Sequence, residues 1–140
     1  MSEADSAEVL TVLVYSDDRE VRERVIRYLG PRLGKSEPGL SYVECATEPA
    51  LIRLMDGGGI DLAILDGEAT PAGGMGIARQ VKDELNPCPP IMVLIGRPQD
   101  AWLATWSRAE AVVQHPVNPV ELAEAAAVVL KVRQPVSGIR

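Results

Sequence analysis

No run in this chain is apolar for the roughly 20 residues that a bilayer-spanning helix requires, so a soluble protein is expected. The start, MSEADSAEV, lacks the basic opening and apolar middle of a signal peptide, and predicts a disordered leader over residues 1–9 of a cytoplasmic protein. Basic residues are in short supply. Fourteen Lys and Arg stand against 20 Asp and Glu, a net charge of −6, and those present are interleaved with acids, as in Arg19–Arg27. That balance excludes a phosphate-backbone partner, because nucleic-acid binding draws its non-specific affinity from clustered cations. Cysteine is limited to Cys45 and Cys88, whose spacing matches neither a metal motif nor a redox pair, so two reduced thiols are expected. A Gly-rich phosphate cradle is missing too. Gly57-Gly58-Gly59 precedes a strand instead of opening a helix, and Gly73-Gly74-Met75-Gly76 lacks the P-loop lysine.

What is there is ordinary globular composition, 46% hydrophobic and 24% charged, in a length suited to one domain. Leu10–Tyr15 is apolar and β-branched enough for a buried strand, and Ser16-Asp17-Asp18 supplies cap chemistry for a helix ending at Leu29. On that helix Val21, Val25, Ile26 and Leu29 share a face, while Glu20 with Arg24 and Glu23 with Arg27 pair at i, i+4 on the other. Leu40–Cys45 reads as an edge strand, Thr47–Met55 as a helix, and Ile60–Leu65 as a buried strand that delivers Asp66 to its C-terminal end. A helix over Gly74–Leu85 and an apolar strand, Ile91–Ile95, follow. Gln99–Ala109 is predicted helical with Trp102 and Trp106 on one face, Ala111–Val113 is a fifth strand, and Asn118 caps a helix over Pro119–Val132. Residues 133–140 read as a flexible tail. Five strand-then-helix repeats define a doubly wound parallel α/β sheet.

In the flavodoxin-like order 2-1-3-4-5, strands one and three are neighbours and the switch point lies between them. Asp17, Asp18 and Asp66 are then expected to converge in one crevice. An all-oxygen acidic cluster suits Mg²⁺. The alternative is that Asp17 and Asp18 only cap the first helix and Asp66 only caps a loop.

VLVYSDD (Val12–Asp18), DLAILDGEATPAGGMG (Asp61–Gly76), PPIMVLIG (Pro89–Gly96) and HPVNPVEL (His115–Leu122) together resemble the receiver domain of a bacterial response regulator over residues 10–132. The resemblance implies the flavodoxin-like (βα)5 fold, Asp66 as acceptor of a phosphoryl group from a histidine kinase, and Asp17 and Asp18 as Mg²⁺ ligands with the Glu68 backbone carbonyl completing the shell. It also implies docking through helix four, strand five and helix five, where Trp102 and Trp106 lie, and the same face would serve a homodimer. The alternative for the tryptophan pair is packing against a neighbouring element.

The chain departs from the family pattern at several positions. The hydroxyl expected at the end of strand four falls on Ile95, the lysine on His115, and the switch aromatic on Val112; the proline of the loop after Asp66 arrives one residue late, as Pro71. His115, the only histidine, is expected to replace the lysine as a cationic partner of Asp66, the alternative being a polar residue before a turn proline; the family often has a cis bond at this point, and the sequence leaves the His115-Pro116 isomer open. The reading is an atypical, stand-alone receiver acting by protein–protein interaction, not an enzyme beyond self-phosphorylation at Asp66. Its alternatives are a phosphorylation-independent scaffold and a small Mg²⁺-dependent phosphohydrolase with Asp66 as nucleophile.

Overall fold

Each apolar run becomes a strand in the computed structural model, which describes residues 8–70 and 72–133. The order is β1 (Val9–Tyr15), α1 (Arg19–Leu29), β2 (Gly39–Cys45), α2 (Glu48–Asp56), β3 (Leu62–Asp66), α3 (Gly74–Glu84), β4 (Ile91–Ile95), α4 (Ala101–Ser107), β5 (Ala111–Gln114) and α5 (Pro119–Arg133). The strands are parallel and ordered β2-β1-β3-β4-β5, the flavodoxin-like arrangement, with β2 at an edge. The leader and tail lie outside the described residues except at their inner ends, where Val9 opens β1 and Arg133 closes α5. Pro71 lies outside them as well. No helix among the described residues is long and apolar enough to cross a membrane.

Alternation along the central strands divides the core in two. Val12, Val14, Leu62, Ile64, Met92 and Leu94 pack towards α1 and α5, meeting Val25, Leu29, Leu122 and Ala126. Leu13, Tyr15, Ala63, Leu65, Ile91 and Val93 pack on the opposite side against Leu51 and Met55 of α2 and Ile77, Ala78 and Val81 of α3. With both faces covered, these strands carry unbroken apolar runs instead of an alternating pattern. Cys45 and Cys88 are free thiols, and burial pushes Cys45 up to about 11 against the opposing charge of Arg22. It is held protonated and unreactive.

The helix caps follow the sequence. Asp18 Oδ1 accepts the Glu20 N–H at 2.9 Å, Thr47 Oγ1 accepts that of Ala50, and Asn118 Oδ1 accepts those of Val120 and Glu121. Two expectations are corrected. The helix predicted over Gln99–Ala109 is shorter: Pro98–Asp100 forms a 3-10 turn, and Arg108 adopts a left-handed conformation (φ 65°) that ends α4 at Ser107. On α1, Glu23 pairs with Arg19 at 2.8 Å instead of Arg27, which lies over the Tyr28 ring, and Glu20 and Arg24 form no ion pair. Arg22 reaches across to Glu44 of β2 at 2.9 Å.

Two glycines hold α3 close to the sheet. A Cβ on Gly67 would fall 2.7 Å from the Leu94 carbonyl oxygen, and one on Gly74 would fall 2.8 Å from both the Asp66 carbonyl oxygen and Leu65 Cβ. Gly76, two residues further on, has open space around it. Gly74→Ala is therefore expected to destabilise the fold by about 1–3 kcal/mol through a backbone clash, whereas Gly76→Ala is expected to stabilise it by up to about 1 kcal/mol through helix propensity. Urea denaturation midpoints of the two variants, moving in opposite directions from wild type, check this.

Candidate functional site

The parallel register aligns Tyr15, the last residue of β1, with Leu65, so Ser16 emerges level with Asp66 at the tip of β3. Both are buried, Ser16 at 0% and Asp66 at 3% exposure. The Ser16 hydroxyl donates to Asp66 Oδ2 at 2.7 Å. From the loop after β3, the Glu68 N–H donates to Oδ1 at 2.9 Å. His115, one residue past β5, reaches over the tip of β4 and brings Nε2 to 3.0 Å from Oδ1; an ionised carboxylate can only accept, so the ring nitrogen donates. The His115 backbone N–H is tied to the Ile95 carbonyl at 2.8 Å, and the His115-Pro116 bond is cis.

The other two carboxylates turn elsewhere. Asp17 accepts from the Thr70 N–H at 3.2 Å and from its hydroxyl at 3.1 Å, which ties β1 to the loop following β3. Asp18 caps α1, the role weighed as the alternative to metal binding. The Glu68 side chain lies over Gly96, where an added Cβ would fall 2.6 Å from its Cδ. Among the described residues no group of three or more His, Cys, Asp or Glu side chains is placed to hold a metal ion. Asp17, Asp18 and Asp66 are oxygen donors of the right chemistry for Mg²⁺, but Asp17 is turned to Thr70 and Asp18 to the start of α1, so as arranged the three do not converge on one ion position and the donor set does not fit the ion.

Of the residues singled out from the sequence as site candidates, Asp66 and His115 meet here, and Ser16, Thr70, Arg22 and Tyr15, which were not, join the network around them. The Tyr15 hydroxyl donates to the Ala72 carbonyl at 2.6 Å, and the Arg22 guanidinium donates to the Ser16 carbonyl at 2.7 Å. Counting strand residues would have found Ser16, because the first residue beyond β1 sits beside the last residue of β3. Ile95, at the expected hydroxyl position, is buried in the core layer that faces α2 and α3. Val112 is half-exposed, and Trp102 and Trp106 are 66% and 44% exposed, with the Arg79 guanidinium 4.9 Å from the Trp106 ring centroid.

A five-stranded doubly wound sheet with a buried aspartate at the tip of its central strand defines the receiver class. Solved structures share this fold: a LuxR-family two-component response regulator from Aurantimonas (TM-score 0.75, 22% identity, 89% of this chain and 87% of that one), a Francisella response-regulator receiver domain (0.72, 15%, 87% and 97%) and a Vibrio cholerae chemotaxis response regulator (0.72, 19%, 87% and 99%). No family model matches the chain. Two response regulatory proteins from Mycobacterium tuberculosis are 67% identical to it over 118 residues, spanning 84% of this chain and 89% of theirs. The chain belongs to the response-regulator family, and its fold is that of a receiver domain of two-component signalling.

Burial by itself would raise the pKa of Asp66, since a low-dielectric site disfavours the charge. The hydrogen bonds from His115, Glu68 N–H and Ser16, joined by the His115 charge, outweigh it and hold the carboxyl below its ordinary 3.8. A depressed carboxyl contributes stability that is fully present above its unfolded-chain value and is lost as pH falls through the folded one. The stability advantage of wild type over Asp66→Asn is thus expected to be constant down to about pH 4 and to shrink below it. Urea midpoints of the two proteins between neutral pH and pH 3 check this.

Proposed function

We propose that this receiver works by docking onto another signalling protein, with the Asp66 pocket held in one state by its own side chains instead of being switched by a phosphoryl group. The observation that carries the reading is that both Asp66 oxygens are already engaged, Oδ2 by Ser16 and Oδ1 by His115 and the Glu68 N–H. Three donors take three of the roughly four lone-pair sites of the carboxylate, and in-line attack on phosphorus would have to compete with them for the oxygens while finding charge to neutralise the equatorial ones. Ile95 cannot donate to such an oxygen or follow it, and Val112 has no ring with which to transmit its movement. The partner-facing surface in this reading is that of α4, β5 and α5, where Trp102 and Trp106 are exposed; tryptophan is enriched where binding energy concentrates. A histidine kinase, another signalling protein or a second copy of the chain are the candidate partners.

A second reading has its own support. Asp66 lies at a strand tip and its carboxyl is held ionised, which is the state a nucleophile needs. In that reading Asp66 accepts a phosphoryl group, with Mg²⁺ recruited to Asp17, Asp18, Asp66 and the Glu68 carbonyl. Incubation with acetyl phosphate and Mg²⁺ separates the two. Intact mass is expected to show no phosphoryl adduct on wild type, and beryllofluoride is expected to leave the amide spectrum unchanged. An adduct that forms on wild type and is absent from Asp66→Asn would establish the second reading.

A further inference from the structure

We infer that Ser16, together with His115, stands in the place of a divalent cation at Asp66, so that this pocket takes up no Mg²⁺ at about millimolar concentration. The inference rests on the reading of the pocket as internally held. It begins from orientation. Ser16 Oγ accepts the Asp18 N–H at 3.0 Å and donates to Asp66 Oδ2 at 2.7 Å, so the hydroxyl hydrogen points at the carboxylate. A cation bridging these residues would need an oxygen lone pair where this hydrogen lies. The Ser16 oxygen cannot readily swing away, because Oγ accepts the N–H of Asp18, itself the cap of α1, and the Ser16 carbonyl is held by Arg22, itself paired with Glu44.

Charge points the same way. A hard cation demands a near-octahedral oxygen shell in which carboxylates supply the negative charge. At this tip β1 contributes a neutral hydroxyl, Asp17 is turned to Thr70, and β5 contributes an imidazole nitrogen at 3.0 Å. Binding would have to break the Ser16–Asp66 and Asp17–Thr70 contacts and displace His115. The carboxylate's need for donors is already met, so little would be gained in return.

The test is a titration of the isotope-labelled full chain with MgCl₂, followed by amide chemical shifts, and with Mn²⁺, followed by paramagnetic broadening. The amides of Ser16, Asp17, Asp66, Gly67 and Glu68 are expected to show no saturable response in wild type. Ser16→Asp, which exchanges the hydroxyl for a carboxylate level with Asp66, is expected to gain a saturable response at the same amides, tighter than the wild-type limit by at least about tenfold. Saturable shifts at these amides in wild type would overturn the inference whether or not the variant folds. A folded Ser16→Asp with native spectral dispersion and no response would also overturn it, since Ser16 would then not be the determinant. Mg²⁺ binding without a phosphoryl adduct would sink this inference alone, whereas an adduct on wild type without Mg²⁺ shifts would sink only the internally held pocket as a functional state.

Discussion

A single buried carboxylate organises the C-terminal edge of this sheet. Removing a charge from water costs several kcal/mol unless donors surround it, and Asp66 at the tip of β3 can draw donors only from what the neighbouring strand ends supply. Ser16 comes from β1, the Glu68 N–H from the loop beyond β3, and His115 from beyond β5. Three segments distant in sequence are thereby held at one point. Further ties depend on the same alignment: Asp17 to Thr70, Tyr15 to the Ala72 carbonyl, and the His115 N–H to the Ile95 carbonyl. Loops that diverge in an open α/β sheet are here laced together, and the crevice between β1 and β3 is occupied by protein donors.

Most of the fold was legible because central parallel strands must be apolar on both faces. Val12–Tyr15, Leu62–Leu65 and Ile91–Ile95 leave no competing reading, and the capping residues Asp18, Thr47 and Asn118 mark helix starts by chemistry that acts within a few residues. What failed was decided at longer range. The i, i+4 rule offers Glu23 two arginines, Arg19 and Arg27, and does not choose between them; Arg27 lies over the Tyr28 ring and Glu23 pairs with Arg19. The end of α4 depends on the backbone of Arg108, which has no signature of its own in the sequence.

The candidate site was half legible. Asp66 announces itself as a charge ending an apolar run, and His115 as the single histidine before a turn proline. Ser16 does not. A serine beside two aspartates reads as cap chemistry, and the eye goes to the charges, yet the strand register makes Ser16 the residue that meets Asp66 while Asp18 turns out to the helix end. The error was one of direction: past the end of a strand, successive side chains leave for different neighbours, and composition carries no information about which goes where. The tryptophans posed the same question, packed or free, and α4 leaves Trp102 largely in solvent.

Two of the departures from the family pattern, His115 and Ile95, fit physically with Ser16. A lysine ammonium on a four-carbon stem can follow an oxygen as it moves and suits a pocket whose occupant changes. The His115 ring is short and planar, and its backbone is pinned to Ile95, so it can serve one acceptor position well and others poorly. Ile95 removes the hydroxyl that would compete for a mobile oxygen and instead fills the core layer against α2 and α3. Ser16 brings a donor where a carboxylate would have brought repulsion requiring a cation. His115 and Ile95 each exchange a group suited to a transient, highly charged occupant for one suited to a permanent carboxylate, and Ser16 adds a neutral donor to it. His115 and the Glu68 N–H share one oxygen of Asp66, whereas Ser16 holds the other and is itself fixed through Asp18 and Arg22, and for this reason Ser16 governs whether the pocket can open to an ion at all.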